Sequence, residues 1–224
     1  MPRPTALALV GVGRYADPWH PFVETASPII ELLAERGFDV RTVTDVDEAL
    51  AEYADPAKAL PALVLANLGR PTDGEPSPCG ERAHTGLRNL LAGSPLIAFH
   101  ASANAFQDAD EWEEALGGRW VLGQSWHPPQ SRTRVHLGPA ASRLPGISAF
   151  DTVDERYLDL RLAEDLDVIL EFDDDAGGRA PAMWMCSRGS RSVVFDALGH
   201  DRAAFDAPGH LQAIALAIDA LIAD

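Results

Sequence analysis

The chain has 224 residues, an ordinary apolar share of 46% and a net charge of −16, from 34 acidic and 18 basic residues. Because neutralising phosphates requires a basic surface, this charge excludes nucleic acid and an anionic membrane as expected partners. Two cysteines make no secreted disulfide framework, and neither an export signal nor an apolar run of the roughly 20 residues that span a membrane is present, so we expect a cytoplasmic protein.

Short apolar runs alternate with helical patterns in the first half of the chain, which is typical of βαβ units around a parallel sheet. Strands are predicted at residues 6–12, 40–43, 62–68 and 95–99, and a later buried strand at 192–198. Helices are predicted to end at Gly37, to begin after the capping residue Asp45, to cover 85–91, to pass through Trp112 and Leu116, and to close the chain over 205–222.

The character of the sequence changes after the glycine pair at 117–118. Segments that resemble strands then follow one another without helices between them, at 120–124, 134–137, 168–172 and 183–187. Such a succession indicates an antiparallel extension of the sheet. The predicted fold is therefore α/β, a doubly wound and mostly parallel sheet with an antiparallel extension, in one domain over residues 1–224.

Three predicted strands each end close to a histidine. His20 lies in the loop after the first strand, His100 follows the fourth, and His200 follows the late strand. Ligands of open parallel sheets bind at the carboxyl ends of the strands. Each histidine alone is explained as well by a structural hydrogen bond, but together they favour one site. We expect His100, His200 and at least one of His20, His127 and Glu155 to lie around one pocket.

His100 stands at the centre of a nucleophile-elbow pattern, with the small residues Ala98 and Ser102 two positions before and after it. In such an elbow the central side chain is expected to be exposed at a helix N-terminus. Imidazole is a poor nucleophile for acyl transfer, but it is a good metal ligand and a good acid or base near neutral pH. The alternative is a vestigial elbow with a buried histidine.

These motifs resemble the ThuA-like (trehalose utilisation) family, a branch of the class I glutamine amidotransferase-like fold. The family's elbow histidine followed by small residues is similar to 100–103, and its helix, paired glycines and His-Pro to 112–128. Its Asp-Glu-x-Tyr motif is similar to 154–157, its Pro-x-x-Trp to 181–184, and its Leu-Gly-His-Asp to 198–201. The resemblance covers nearly the whole chain and implies a flavodoxin-like, class I glutamine amidotransferase-like sheet.

The resemblance also implies carbohydrate metabolism, with trehalose, related sugars or their oxidised derivatives as the small-molecule partner. We interpret three residues as catalytic: His100, His200 and Glu155. We interpret five more as substrate-binding: His20, His127, Tyr157, Asp201 and Trp184. His100 and His200 could also hold a divalent metal such as zinc.

Several of these residues have a plainer explanation. Asp201 could cap the last helix rather than orient His200, and Trp184 and Tyr157 could pack in the core. Asp154 could share the acid–base or metal role of Glu155, or both could be surface charges. These alternatives stay open at the level of sequence.

A histidine at the elbow argues against glutamine amidotransferase activity, which needs an activated thiolate and a paired base. Histidines with a carboxylate suit metal-assisted or metal-free acid–base chemistry instead. The leading hypothesis is a sugar-processing hydrolase or isomerase. The alternatives are a non-catalytic domain that binds a sugar or a partner protein, and a structural role as a homo-oligomer, since related folds are trimerisation domains in some glycosidases.

Overall fold

The structure, a computed structural model, describes residues 3–188 and 191–223. The strands are β1 (Thr5–Val10), β2 (Asp39–Val43), β3 (Leu63–Asn67), β4 (Leu96–Phe99), β5 (Gly118–Arg119), β6 (Ser131–Leu137), β7 (Phe150–Asp154), β8 (Arg161–Leu162), β9 (Asp167–Asp173), β10 (Arg179–Arg188) and β11 (Arg191–Asp196). The helices are α1 (Phe22–Glu35), α2 (Val46–Glu52), α3 (Glu81–Gly93), α4 (Asp110–Leu116), α5 (Arg202–Phe205) and α6 (Pro208–Ala223). None of the helices in the described ranges combines the length and apolar character needed to cross a membrane.

One large mixed sheet organises the chain. Its strand order is β2-β1-β3-β4-β11-β10-β9-β6-β7, and β5 and β8 form a separate antiparallel pair. The pairings from β2 to β11 are parallel, whereas those from β11 to β7 are antiparallel. The carboxyl ends of β1, β3, β4 and β11 therefore meet at one edge of the parallel half.

Helices cover both faces of this sheet. Alternate residues of β1 point to opposite faces, so that Ala6 and Ala8 pack in one core cluster and Leu7 and Leu9 in the other. The first cluster includes buried residues of α1 and α6, and the second includes residues of α2, α3 and α4. Near-continuous apolar strands such as β3, buried at every position, are the consequence of this double cover.

The structure bears out the α/β class and the mixed sheet, while the finer doubly wound, flavodoxin-like description stays a prediction. Gly37 follows α1 at φ +84°, and the Asp45 carboxylate accepts a hydrogen bond from the Glu48 amide at 3.0 Å, as the two helix boundaries predicted.

Two predicted elements are wrong in detail. Residues 120–124 form a turn rather than a strand, because the Val121 carbonyl accepts from the amides of Gln124 and Ser125, and Gly123 adopts φ +79°. The closing helix begins at Pro208 rather than at Phe205, which belongs to the short α5. A proline restricts the residue before it and suits the first helical position. β7, whose end carries part of the candidate site, is not among the predicted strands.

Candidate functional site

His100 begins a short 3₁₀ turn directly after β4. Its φ of +41° is in the left-handed region, which is strained for a residue that has a Cβ. The neighbouring Gly199, at φ +120°, lies against it, and a Cβ on that glycine would be at ordinary contact distance, 3.8 Å, from the His100 Cβ. The expected turn after β4 is therefore present. The expected exposure of His100 is wrong.

The His100 side chain is 1% exposed because other rings cover it. The Tyr157 ring stacks on it with centroids 4.0 Å apart, and the rings of His20 and His200 lie at 5.2 and 5.6 Å. Its Nδ1 lies 2.7 Å from the carbonyl oxygen of Ala197. Because a carbonyl only accepts hydrogen bonds, Nδ1 carries the proton and Nε2 has a free lone pair.

His20 is held in the first loop by a carboxylate three residues before it. The Asp17 carboxylate oxygens both lie 2.8 Å from His20 Nδ1, and Oδ1 also accepts from the amides of Trp19 and His20 at 2.9 Å. Burial raises the pKa of Asp17, but the bonds from His20 and the two amides outweigh it and leave that pKa lowered. The charged carboxylate thus turns His20 Nε2 toward the site.

Asp154, the last residue of β7, joins two parts of the site through backbone hydrogen bonds. It is fully buried and accepts from the amides of Glu155 at 2.8 Å, Gly199 at 2.7 Å and His200 at 3.2 Å. Burial raises the pKa of Asp154 to about 7 despite these three donors. Its role is to position Glu155 and His200, which come from opposite halves of the sheet.

The structure brings four of the predicted site residues together: one ligand atom each of His20, His100, Glu155 and His200, all within 4.8 Å of one another. We call these four residues the histidine–glutamate cluster. Glu155 Oε2 lies 3.2 Å from His200 Nδ1 and 3.6 Å from His100 Nε2. Its other oxygen lies 3.4 Å from Nδ1 of His127.

The surroundings shift the pKa values of the cluster residues in different directions. Burial lowers the pKa of His100 to about 4, so its ring is neutral at neutral pH. The Glu155 carboxylate raises the pKa of His200 above its usual value of 6.5, although burial opposes this. Burial also raises the pKa of Glu155, but the nearby rings of His100 and His200 outweigh it and hold that pKa well below 4.5.

Three ring nitrogens of the cluster have no hydrogen-bond partner in the described chain although they are buried: His20 Nε2, His100 Nε2 and His200 Nδ1. Buried polar atoms are nearly always satisfied in native proteins, and exceptions concentrate at functional sites. These three nitrogens face one another rather than the surrounding protein. The arrangement can bind a cation or transfer protons.

A cleft of about 330 Å³ opens beside the cluster. Its walls include His20, His127 and Tyr157 of the predicted site, together with Trp19, Arg70, Asn104, Trp120 and Leu122. A larger cavity of about 530 Å³ shares only Tyr157 with this cleft and contains none of the histidines. We therefore consider the smaller cavity to be the candidate site.

Two residues that the sequence analysis assigned to substrate lie elsewhere. Trp184 is 1% exposed, donates from Nε1 to the Leu116 carbonyl at 2.7 Å and stacks on Phe195, so it is part of the core. Asp201 caps α5, where its carboxylate accepts from the Ala203 amide at 2.8 Å. Trp184 thus matches its plainer alternative, and Asp201 caps a helix as its alternative predicted, although that helix is α5 and not the last one.

Sequence reasoning missed Asp17 and Arg70 as residues of the site. An Asp three residues before a loop histidine could have signalled Asp17, because that spacing permits a turn closed by the carboxylate. Arg70 follows Gly69 after β3, at the strand-end position that identified the histidines. It makes no hydrogen bond or ion pair within the described ranges, so its guanidinium is free to meet a ligand in the cleft.

Comparisons with known proteins agree with this architecture. A family model named ThuA, described as trehalose utilisation, matches residues 13–219. A ThuA-like protein from Parabacteroides merdae is similar over 99% of this chain and 90% of its own, with 15% identity and a TM-score of 0.73. One from Bacteroides uniformis matches 98% of this chain and 91% of its own, at 17% identity and a TM-score of 0.70.

A β-galactosidase from Rahnella sp. R3 is similar over 97% of this chain but only 31% of its own length, at 17% identity and a TM-score of 0.57. At such identities the likeness concerns the fold alone. No curated protein matches the chain.

Proposed function

The chain belongs to the ThuA family of trehalose-utilisation proteins, and from this premise we propose that it is a sugar-processing enzyme whose reacting groups are the histidine–glutamate cluster. Family membership indicates a role in trehalose utilisation. The proposed substrate is trehalose, a related sugar or an oxidised derivative, and the proposed reaction is a hydrolysis or an isomerisation. The observation that supports an active site is the convergence of four titratable side chains beside a cleft.

The cluster contains both an acid and a base for this chemistry. Environments that move the pKa values of neighbouring groups apart identify acid and base roles. His200, whose pKa Glu155 raises, would give a proton to a sugar oxygen, and neutral His100 has a nitrogen lone pair that can receive one. Correctly placed acid–base groups typically contribute about 10²–10⁴-fold to a rate.

The walls of the cleft suit a small sugar. Trp19 is 70% exposed and Trp120 borders the same space, so both can offer an aromatic face to the C–H groups of a pyranose. Arg70 and His127 supply polar groups on the same walls. His127 also lies against Glu155, so it would contact both a sugar in the cleft and the histidine–glutamate cluster. Tyr157 supports the floor by stacking on His100.

A non-catalytic domain that binds a sugar or another protein is the second candidate. The fold likeness to one third of a β-galactosidase chain favours it, because there the same fold occurs within a larger protein. The histidines argue the other way, since a cleft that only binds a sugar gains nothing from three unsatisfied buried nitrogens.

Turnover and binding of a sugar panel separate these candidates. We would incubate the protein with trehalose, maltose, sucrose and their oxidised derivatives, detect products by mass spectrometry, and measure affinity by calorimetry. An enzyme should convert at least one of these sugars, and His200→Gln should slow the conversion about 10²-fold or more while affinity changes little. Binding without conversion, unchanged in His200→Gln, would establish the binding domain instead.

A further inference from the structure

We infer that the histidine–glutamate cluster is a binding site for one divalent transition-metal ion, held by His20 Nε2, His100 Nε2, His200 Nδ1 and Glu155 Oε2. One ligand atom of each of these four residues lies within 4.8 Å of the others. This site deepens the proposed function by naming a cofactor, and its role in turnover rests on that function. Its existence as a binding site stands on the geometry alone.

The orientation of two rings is fixed from outside the cluster. Nδ1 of His20 donates a hydrogen bond to the Asp17 carboxylate, and Nδ1 of His100 donates one to the Ala197 carbonyl. Each acceptor requires a proton on that nitrogen, which leaves Nε2 with its lone pair pointing inward. Metal-ligating histidines are oriented in this way, by a carboxylate or backbone carbonyl on the far nitrogen.

One proton cannot satisfy the atoms that remain. A proton between His200 Nδ1 and Glu155 Oε2 satisfies that 3.2 Å pair. It leaves the lone pairs of His20 Nε2 and His100 Nε2 facing each other and the carboxylate, with no donor from the described residues. A divalent cation accepts all four lone pairs at once, and it balances the negative charge of Glu155.

The donor set indicates which ion. Three imidazoles and one carboxylate suit zinc and neighbouring first-row ions better than magnesium or calcium, which prefer oxygen. Zinc binds nitrogen at about 2.0–2.1 Å, which places tetrahedral ligand atoms about 3.4 Å apart. The side chains of the cluster would therefore move together by about an ångström on binding.

The location of the cluster connects the ion to the cleft. His20 belongs both to the cluster and to the cleft wall, so a ligand in the cleft lies next to the ion. There a bound ion would polarise a sugar oxygen. A bound ion would release to solvent any proton that His200 and Glu155 share, and His127 at the rim would then be the histidine placed to carry protons to and from the substrate.

The test is metal stoichiometry and affinity in the full-length chain. Protein stripped with a chelator is titrated with Zn²⁺ by calorimetry, and separately with Co²⁺, whose visible absorption reports its coordination geometry. We expect one equivalent of either ion. His20→Ala and Glu155→Gln should weaken Zn²⁺ binding at least 100-fold. Asp17→Ala, which removes only the outer support of His20, should weaken it about 10–100-fold.

His136→Ala is the matched control, because this histidine pairs with Asp173 on the antiparallel half of the sheet and should keep full affinity. Circular dichroism verifies that each variant is folded, and Glu155→Gln keeps the shape of its side chain if an alanine variant fails to fold. The inference is overturned if the wild-type protein binds no Zn²⁺ at one equivalent. It is equally overturned if His20→Ala and Glu155→Gln bind as tightly as His136→Ala.

The failure of this site and the failure of the proposed function are distinguishable. A protein that binds one Zn²⁺ but neither binds nor converts any sugar keeps the metal site and loses the sugar function. A protein that converts a sugar but binds no ion keeps the function through the metal-free acid–base groups and loses the site.

Discussion

The ring nitrogens of His210 and those of the histidine–glutamate cluster are two groups of buried imidazole nitrogens whose surroundings are opposite. His210 of α6 is 0% exposed, and both of its ring nitrogens face acceptors: Nδ1 lies 2.9 Å from the Ala204 carbonyl, and Nε2 lies 2.8 Å from Asp196 Oδ2. Burial lowers the pKa of His210, but Asp196 and the carbonyl outweigh it and leave the pKa raised above 6.5. In the histidine–glutamate cluster, by contrast, three nitrogens face no acceptor or donor of the described chain outside the cluster.

The difference separates a structural histidine from a functional one. Both ring nitrogens of His210 donate hydrogen bonds to acceptors within the protein, and Asp196 balances the positive charge of the ring. Neither nitrogen is therefore available to bind a ligand. The cluster uses outer groups such as Asp17 to hold its rings and leaves the inner atoms open. Burial alone does not distinguish the two groups, because His100 is as buried as His210. What distinguishes them is whether the polar atoms are satisfied.

His210→Ala should have the largest effect on stability. It leaves the Asp196 carboxylate buried without its partner, and breaking a buried pair on one side typically costs about 3–5 kcal/mol. Urea denaturation gives the free energy of unfolding, and Zn²⁺ affinity of the folded variant should be unchanged. A loss below about 1 kcal/mol would mean that the pair contributes little, since that is an ordinary surface effect.

His100→Ala should show the reverse pattern. Turnover should fall by about 10³-fold or more, because the variant removes a cluster nitrogen that faces the reacting groups. The free energy of unfolding should fall by only about 1–3 kcal/mol, mainly because the Ala197 carbonyl loses its donor. Urea denaturation and a turnover assay on the same preparation measure both. A larger stability loss with unchanged sugar handling would make His100 a structural residue.

Much of the fold could be predicted because its signals are local. The buried runs of β1, β3 and β4, the glycine after α1 and the Asp45 cap each depend on a few neighbouring residues. β7 alternates buried and exposed positions over only five residues, without a strong apolar run, and was missed. A strand was predicted at residues 120–124 because three of the five are apolar, but Leu122 is exposed there and borders the cleft instead of packing in the core.

The site residues that follow the ends of strands could be predicted from the sequence. The contacts of the site with main-chain groups could not. His20, His100 and His200 follow strands whose ends share one edge, and that geometry is readable from the pattern. The Ala197 carbonyl that accepts from His100 is a main-chain group, so the type of residue at position 197 gives no sign of this contact. Asp154 accepts hydrogen bonds from the amides of Gly199 and His200, which lie 45 and 46 positions further along the chain. This role exists only once the sheet is formed.

The pH dependence of stability tests the charge on His210. A folded-state pKa raised above the unfolded value means that His210 stabilises the protein fully below about pH 6.5 and less as the pH rises through the folded-state pKa. Each unit by which the two pKa values differ corresponds to about 1.4 kcal/mol. We expect the difference in unfolding free energy between wild type and His210→Gln to shrink from pH 6 to pH 9. A difference that grows over this range would show that His210 is neutral in the fold, and a constant difference would show that folding does not shift its pKa.

The smallest effect on stability is expected at the cleft wall, where Arg70 contacts no partner in the described part of the chain. Because its guanidinium makes no bond within the fold, Arg70→Met should change the free energy of unfolding by no more than about 0.5 kcal/mol. Its five donors and lack of acceptors suit the oxygen atoms of a sugar, so we expect affinity for the substrate to weaken about 10-fold, the loss of one charge-assisted hydrogen bond. Calorimetry with the sugar that the panel identifies measures this directly. Arg134→Met is the control, since it removes the same charge from the antiparallel half, beside Asp151 at 3.5 Å. Equal losses of affinity in both variants would point to the net charge of the protein, and a loss confined to Arg70→Met places the sugar against that wall of the cleft.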